Sequence, residues 1–212
     1  MPIPAHEPRT AGAVAEWVRE HARDRFAGVY AASEAHRVEH GDACTVYASS
    51  NGPLLATLAA ACGARRILEV GTGLGYSALH LADGASPDGV VRTIERDASH
   101  AELALAQVDA HGMGERVSII VGGATEALPK LDGPFDLIFN DAELEEYEAM
   151  FDEFVRLLRP GGLLITSNLF LAQYADDIPG IEHAIAYRER LVDDARLRTA
   201  FLPSGLALSV RV

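Results

Sequence analysis

Three glycines at alternate positions and the carboxylates around them are the residues best suited to chemistry in this chain. Gly71, Gly73 and Gly75 follow a short apolar run, and Glu69 stands two residues before the first of them. Glycines let the backbone turn sharply and approach a ligand closely, and a helix that starts beside them directs free N–H groups at that ligand. A strand, a glycine loop and a helix in this order predict a binding site for a nucleotide-type ligand.

Two kinds of nucleotide ligand compete for this loop. A dinucleotide site has the pattern G-x-G-x-x-G/A, whose last residue is small, whereas Tyr76 fills that position here. Glu69 would face a pyrophosphate badly, but a carboxylate there suits a ligand with an ammonium or sulfonium charge. Glu95 ends the next predicted strand, where a carboxylate can accept hydrogen bonds from ribose hydroxyls. The arrangement resembles the first two motifs of class I S-adenosylmethionine-dependent methyltransferases, and a plain tight turn is the alternative interpretation.

Length and composition limit the classes of protein to which this chain can belong. It has 212 residues, of which 49% are hydrophobic, and these values predict one α/β domain with a short extension. Its formal charge of −13 argues against broad binding to nucleic acid, which depends on phosphate neutralisation. No apolar run is long enough to cross a bilayer and the first residues do not form a secretion signal, so we expect a cytoplasmic protein without membrane contact. Cys44 and Cys62 are expected to be free thiols.

Short apolar runs that alternate with helical patterns define the predicted fold. We expect parallel strands at 67–70, 90–95, 117–121, 135–140 and 163–167, and a closing hairpin of 198–202 and 206–210. Together with the resemblance to class I methyltransferases, these elements imply an α/β, Rossmann-like class I methyltransferase fold: a mostly parallel seven-stranded sheet with helices on both faces and a C-terminal β-hairpin. The resemblance implies that residues 1–50 form a helical lid and dimerisation extension and that residues 51–212 form the cofactor-binding domain.

Four helix boundaries are specific enough to be tested. One amphipathic helix is predicted from Val14 to about His40, and Ser50 or Asn51 is expected to cap the next helix. Asp97 or Ser99 should cap a helix at 98–111. A helix over 143–158 should end before Pro160. Ligands of such sheets bind at the carboxyl ends of the strands, so the residues that follow each strand are the candidates for a site.

The resemblance extends beyond the general fold. The stretches RILEVGTGLGYSAL (66–79), FDLIFNDAELEEY (135–147) and LRPGGLLITSN (158–168) resemble the catechol and caffeoyl-coenzyme A O-methyltransferase family. The match covers roughly residues 50–212, and the chain departs from the family at two positions. It is therefore identified as a divergent member of this family.

The resemblance implies roles for individual residues. Asp141 is implied as the catalytic residue and as a metal ligand together with Asn168. Ser77 would bind the carboxylate of the cofactor, Glu95 its ribose and the backbone of Ala124 its adenine. The residues implied to bind S-adenosylmethionine are Glu69, Gly71, Thr72, Gly73, Gly75, Tyr76, Ser77, Glu95, Arg96, Gly123, Ala124 and Asp141.

Two departures from the family pattern concern the activation of the acceptor. Leu144 stands where the family has a lysine that helps to deprotonate the accepting hydroxyl, and Ser167 stands where it has a metal-binding aspartate. In the family, Mg²⁺ or another divalent cation lowers the pKa of the acceptor hydroxyls. We therefore expect an altered or lost metal site, with weak binding through Asp141 and Asn168 as the remaining option.

Replacement bases and other functions remain open. His36, His40 and Asp42 could supply a base, although a solvated helix face is the favoured interpretation of the two histidines. The preferred function is O-methylation of a small hydroxylated molecule by a homodimer, with Trp17 in the core or at the dimer interface. The alternatives are a non-catalytic protein that binds S-adenosylmethionine or S-adenosylhomocysteine, and a tRNA-hydroxyuridine methyltransferase, which the acidic charge disfavours.

Overall fold

A computed structural model of the chain describes residues 10–41, 44, 46–48, 51–171 and 178–212. Asp42 and Ser50, which enter the sequence predictions, lie outside the described residues. Within the described part, no helix is both long and apolar enough to pass through a membrane.

A seven-stranded sheet forms the centre of the molecule, as the sequence predicts. Its strand order is β3-β2-β1-β4-β5-β7-β6, with β1 to β5 parallel and the β6–β7 hairpin antiparallel at one edge. The strands are β1 (Arg66–Val70), β2 (Val90–Glu95), β3 (Val117–Val121), β4 (Phe135–Asn140), β5 (Leu158–Thr166), β6 (Leu197–Phe201) and β7 (Ala207–Arg211).

The helices cover both faces of this sheet. They are α1 (Ala11–His21), α2 (Ala27–His40), α3 (Gly52–Ala61), α4 (Tyr76–Gly84), α5 (Ala98–Ala110), α6 (Ala124–Ala127), α7 (Tyr147–Leu157) and α8 (Ile181–Asp193), with 3₁₀ turns at Leu128–Lys130 and Leu144–Glu146. Leu68 and Val70 face the core that α7 and α8 complete, whereas Ile67 faces the core on the α3–α4 side. Burial on both faces explains why the central strands are continuous apolar runs.

The predicted long N-terminal helix is wrong, because the chain breaks between α1 and α2. Asp24 occupies the break, and its carboxylate accepts a hydrogen bond from the backbone N–H of Phe26 at 2.8 Å. The turn buries Phe26 and then Val29 in the core on the α3–α4 side. From this break the Asp24 carboxylate also accepts hydrogen bonds from two side chains of α4, Tyr76 and His80.

Other helix boundaries agree with the predictions or differ from them by a few residues. The expected helix over 143–158 begins as a 3₁₀ turn at 144–146, and α7 ends at Leu157 because Leu158 already pairs with Phe135 in the sheet. The last helix, which the sequence pattern predicts at 178–190, is found at Ile181–Asp193. Asp97 caps α5, with its carboxylate accepting from the backbone N–H groups of Ser99 and His100.

The N-terminal helices differ in how they contact the sheet domain. α2 contacts α4 and buries Val29 and Ser33. On α1, in contrast, Val14, Trp17 and Val18 are about half exposed, at 46%, 48% and 50%.

Candidate active site

A cavity of about 300 Å³ lies at the carboxyl ends of the parallel strands. This is the edge where an open α/β sheet binds its ligands. The structure brings ten of the predicted site residues to its wall: Gly71, Thr72, Gly73, Tyr76, Ser77, Glu95, Arg96, Ala124, Asp141 and Asn168.

Three predicted residues, and Ser167 at the position of the family's aspartate, lie outside the wall of this cavity. Glu69 is fully buried, Gly75 packs against Ala104 of α5, and Gly123 borders a separate hollow beside α6. Ser167, at 3% exposure, is also buried rather than open to the cavity. The roles implied for these residues remain predictions.

Backbone hydrogen bonds continue the sheet pattern into the loops of the site. The N–H of Asp141 donates to the carbonyl of Val70 at 2.9 Å, and the N–H of Gly71 donates to that of Ile94 at 3.0 Å. Gly71 has a φ of +90°, and a Cβ placed there would lie 2.3 Å from the carbonyl oxygen of Asp141. Only glycine allows the glycine loop and the loop after β4 to approach this closely.

Glu95 ties the glycine loop to the end of β2. One carboxylate oxygen accepts from the N–H of Gly73 at 2.9 Å, and the other accepts from the N–H of Asp97 at 3.0 Å. Each carboxylate oxygen can accept more than one hydrogen bond. Glu95 is therefore held in a fixed orientation at the cavity wall and keeps accepting capacity for a ligand.

Glu69 is a buried carboxylate beneath the glycine loop. Neither of its oxygens accepts a hydrogen bond of normal geometry from a described residue. Burial raises its pKa to about 8, and the neighbouring hydroxyls of Thr93 and Ser77 offset only part of that effect. At neutral pH Glu69 is therefore mainly protonated in the protein without ligand, and a cation bound nearby would favour its ionised form.

Asp141 and Asn168 meet at the opposite side of the cavity. The side-chain amide of Asn168 donates to the Asp141 carboxylate at 2.7 Å, and Asn168 adopts a left-handed backbone with φ of 59°. Burial raises the pKa of Asp141 to about 6, while hydrogen bonds from Ser167 and Asn168 lower it in part. Asp141 is thus a carboxylate at neutral pH, with a pKa near the working range of a proton acceptor.

The side chains after β4 form the rest of this wall and determine its polarity and charge. Leu144 is 6% exposed and belongs to the core on the α7–α8 side, although it also touches the cavity. Arg96 stands at the rim, with Glu143 at 3.7 Å and Glu146 at 3.5 Å. The rim after β4 is therefore acidic, with one partly neutralising arginine.

The structure adds residues that the sequence did not indicate. Asp24 accepts hydrogen bonds from the Tyr76 hydroxyl at 2.7 Å and from the His80 ring at 2.9 Å, which fixes the N-terminal segment to α4. Ser33, Val46 and Leu55 also line the cavity. Local sequence patterns do not carry this information, because Asp24 and its partners on α4 are more than 50 positions apart.

The solvated-face interpretation is correct for His40 and wrong for His36. His40 is exposed, whereas His36 is partly buried and directs its Nε2 at the Nε2 of His100, 3.3 Å away. His100 belongs to α5 and lines the cavity. Burial is the main cause that lowers the pKa of His36, and the neighbouring His40 and His100 lower it further.

Fold and site together define a class I, S-adenosylmethionine-type methyltransferase architecture, and comparison with known proteins gives the family. The sequence profile of the O-methyltransferase family matches residues 34–212. The chain therefore belongs to the O-methyltransferase family. This confirms the predicted resemblance, the predicted fold and, at the level of the family, the predicted class of enzyme.

Individual relatives agree with this assignment. The chain is 42% identical over 122 residues to a catechol O-methyltransferase of Mycobacterium tuberculosis, a match that covers 57% of this chain and 56% of that protein. The chain thus matches little more than half the length of that relative. It is 39% identical over 160 residues to a putative O-methyltransferase of Mycolicibacterium vanbaalenii, covering 73% of this chain and 71% of the other.

Solved structures of similar proteins cover nearly the whole chain. The O-methyltransferase TomG of Streptomyces achromogenes, solved with S-adenosylmethionine, is 30% identical, with a TM-score of 0.79 and coverage of 94% of this chain and 96% of that one. An O-methyltransferase of Bacillus cereus, solved with S-adenosylhomocysteine, is 26% identical, with a TM-score of 0.79 and coverage of 94% and 97%.

Proposed function

We propose that this chain binds S-adenosylmethionine in the cavity at the strand ends and transfers its methyl group to a hydroxyl of a small molecule. The observation that carries the proposal is the wall of the cavity, where the glycine loop, Glu95 and Asp141 converge at one edge of the sheet. The solved relatives with bound cofactor support the same ligand.

The proposed cofactor contacts follow from the positions of polar groups around the cavity. Ser77 lies in the first turn of α4, where its hydroxyl and the free N–H groups of the helix suit the carboxylate of the methionine part. Asp141 suits the ammonium group, and Glu95 suits the ribose hydroxyls. The buried carboxyl group of Glu69 lies behind this loop, and the cationic part of the ligand would favour its ionised form.

The acceptor is proposed to be a small molecule rather than RNA. Glu143, Glu145 and Glu146 line the cavity after β4, and Arg96 is partly neutralised by two of them. An acidic rim repels a phosphate backbone, on whose neutralisation RNA and DNA binding depend. A compact, uncharged or cationic hydroxylated molecule fits this electrostatic setting better.

The residues at the Asp141 edge do not fit the divalent metal site that the family resemblance implies. Asp141 is the carboxylate there, Ser167 replaces the second one, and Asn168 directs its amide N–H at Asp141. In the described part of the chain, no group of three ligand atoms from His, Cys, Asp or Glu clusters at this edge. We therefore derive no step of the reaction through a metal ion.

Methyl transfer itself requires little covalent chemistry from the protein. The acceptor oxygen attacks the methyl carbon, the carbon–sulfur bond breaks, and its electron pair stays on sulfur to give neutral S-adenosylhomocysteine. The proton of the hydroxyl must leave, and Asp141 is the proposed acceptor of that proton, directly or through water. The rest of the catalysis is alignment of the oxygen, carbon and sulfur atoms by the cavity.

A methyl-transfer assay with and without a chelator tests the proposal. Chelator-treated protein is incubated with S-adenosylmethionine and a panel of catechols and other phenols, and the S-adenosylhomocysteine formed is measured. We expect turnover that added Mg²⁺ changes little, and a kcat/KM that falls as pH drops below about 6, where Asp141 takes up a proton.

The variant Asp141→Asn completes this test. It should lower turnover by at least about 100-fold, the scale of a lost general base, and remove the acidic limb of the pH profile. Strict dependence on Mg²⁺ would contradict the metal-free reaction, and tight cofactor binding without turnover on any acceptor would favour the non-catalytic alternative.

Three further proposals concern the N-terminal segment, the partner of α1 and the location of the protein. The N-terminal segment, with α1 and α2, is proposed to act as a lid over the cavity and as a dimer surface. A second copy of the chain is proposed to cover the exposed apolar residues of α1. A cytoplasmic location is proposed from the free state of Cys44 and Cys62, and cell fractionation tests it.

A further inference from the structure

The geometry points to a Zn²⁺ site formed by His36, Cys44 and His100, which joins the N-terminal lid to the wall of the cavity. Nothing in the proposed methyl transfer uses this site. The three residues come from α2, from the segment that follows it and from α5, so the site would join parts of the chain that are far apart in sequence.

The separation of the two imidazoles matches a shared metal ion. Their Nε2 atoms are 3.3 Å apart, with the rings nearly perpendicular at 82°. Two nitrogens bound to zinc at about 2.0–2.1 Å and at a tetrahedral angle lie about 3.3–3.4 Å from each other. An N–H···N hydrogen bond at 3.3 Å would be a long one. The observed distance therefore suits an ion between the rings better than a direct bond.

The sulfur of Cys44 completes a set of three ligands. The Sγ and the two imidazole nitrogens all lie within 4.8 Å of one another. Nitrogen and sulfur bound to the same tetrahedral zinc are about 3.6 Å apart, so binding requires the sulfur and the nitrogens to approach by up to about 1.2 Å. Zinc accepts this mixture of thiolate and imidazole ligands, whereas Mg²⁺ prefers oxygen.

The three ligands are already held in place by their surroundings. Cys44 is 4% exposed, and its sulfur accepts a hydrogen bond from the backbone N–H of Val46 at 3.4 Å. His100 lies in the first turn of α5, where its backbone N–H binds the Asp97 cap at 3.2 Å. His40 stacks on His36 with ring centroids 4.1 Å apart. Such outer contacts orient metal ligands and strengthen metal binding.

Three protein ligands leave one tetrahedral position for water. His100 and Val46 line the cavity, so this position would lie beside the ligand-binding space. The immediate consequence is mechanical, because zinc would fix α2 and the segment after it against α5. Zinc should therefore raise the Tm of the protein, whether or not the protein transfers methyl groups.

Metal binding by tag-free, chelator-treated protein tests this inference. Zn²⁺ affinity is measured by competition with a chromophoric chelator, and Co²⁺ serves as a spectroscopic probe, because a thiolate ligand adds a charge-transfer band in the near ultraviolet. We expect about one Zn²⁺ per chain, a tetrahedral Co²⁺ spectrum with the thiolate band, and a higher Tm with zinc than without it.

Matched variants separate the proposed site from other thiols and imidazoles. Cys44→Ser, His36→Gln and His100→Gln should each weaken Zn²⁺ binding by more than about tenfold, the loss that removal of an outer-shell partner already causes. Cys44→Ser should also abolish the thiolate band. Cys62→Ser should retain both affinity and spectrum, because Cys62 lies near Arg159 and Asp136 and does not belong to the cluster. His40→Gln removes only the ring that stacks on His36, so it should weaken Zn²⁺ binding less than the loss of a ligand and should keep the thiolate band.

The outcomes that would overturn the inference are equally specific. They are the lack of stoichiometric Zn²⁺ binding by the parent protein, unchanged binding in Cys44→Ser, and loss of binding in Cys62→Ser. Far-ultraviolet circular dichroism of each variant ensures that a loss reflects the ligand and not the fold.

Discussion

Two buried carboxylates show how the protein places charge where a cationic cofactor is expected. Glu69 and Asp141 both have raised pKa values, of about 8 and about 6, because burial disfavours their ionised forms. Such groups reduce stability in the empty protein, because the unfolded chain ionises them more easily. They are kept at a site, we infer, because a sulfonium or ammonium group makes their charged forms favourable.

Glu69→Gln should stabilise the empty protein at neutral pH. The pKa of Glu69 is raised on folding, so the unfavourable contribution is absent at pH below about 4.5 and grows until pH passes about 8. The gain in free energy of unfolding should therefore be larger at pH 8 than at pH 4, by on the order of 1 kcal/mol or more, as measured by chemical denaturation at several pH values. Glu102→Gln, the same substitution at an exposed position of α5, is the control and should change stability by at most about 0.5 kcal/mol.

The same variant should bind the cofactor less tightly, so stability and affinity would change in opposite directions. A stability gain that is the same at pH 4 and pH 8 would contradict the raised pKa. Unchanged affinity would remove Glu69 from the proposed binding site.

At the scale of elements, the attachment of the N-terminal segment depends on Asp24. Its carboxylate accepts from Tyr76 and His80, both nearly fully buried on α4, and from the backbone of Phe26. Tyr76 also lines the cavity, so this contact couples the segment to the cofactor loop. Burial is the largest cause of the lowered pKa of His80, and the Asp24 carboxylate opposes it.

Asp24→Ala should destabilise the protein by about 2–3 kcal/mol, because it leaves buried polar groups without their partner. Thermal or chemical unfolding measures this loss. The control is Asp83→Ala, which removes a more exposed ion pair with Arg25 and should cost at most about 1 kcal/mol. Equal effects of the two variants would show that the Asp24 contacts contribute no more than a surface ion pair.

Elements defined by local patterns could be predicted from the sequence, and contacts between distant elements could not. The bounds predicted for β2, β3 and β4 agree with the structure, because each is a compact apolar run between turn residues. The break at Asp24 has no comparable local signal, since its cause lies on α4. The pairing of His36 with His100 is hidden for the same reason.

The candidate site was predictable in part for a related reason. Residues that follow strands β1, β2 and β4 were assigned to one edge because parallel strands bring their carboxyl ends together. Ser33, Val46 and Leu55 line the other side of the cavity, and no comparable rule predicts their position from the sequence. The burial of Glu69 beneath the loop, which decides its pKa, also depends on packing that a strand pattern does not specify.

At the scale of the whole molecule, α1 presents the surface that a second copy is proposed to cover. Trp17→Glu places a charge in the middle of its exposed apolar face. We expect the parent protein to sediment as a dimer and the variant to shift toward the monomer, as measured by analytical ultracentrifugation. Val212, exposed at the C-terminus of the hairpin, offers a control site, where Val212→Glu should leave the dimer intact. A monomeric parent protein would refute the dimer.

At the scale of the whole molecule, the sequence predicts a cofactor part that follows the family and an acceptor part that departs from it. The loop from Gly71 to Ser77 and Glu95 keep the family pattern, whereas Leu144 and Ser167 replace its lysine and its aspartate. Cofactor binding should therefore not depend on a divalent metal ion.

Calorimetric titration of S-adenosylhomocysteine into chelator-treated protein tests this central claim most directly. The account predicts one molecule bound per chain, with an affinity that added Mg²⁺ leaves unchanged and that Ser77→Ala and Glu95→Gln each reduce by about tenfold, the equivalent of one lost hydrogen bond. The absence of binding at millimolar ligand, or binding that both variants leave unchanged, would contradict it.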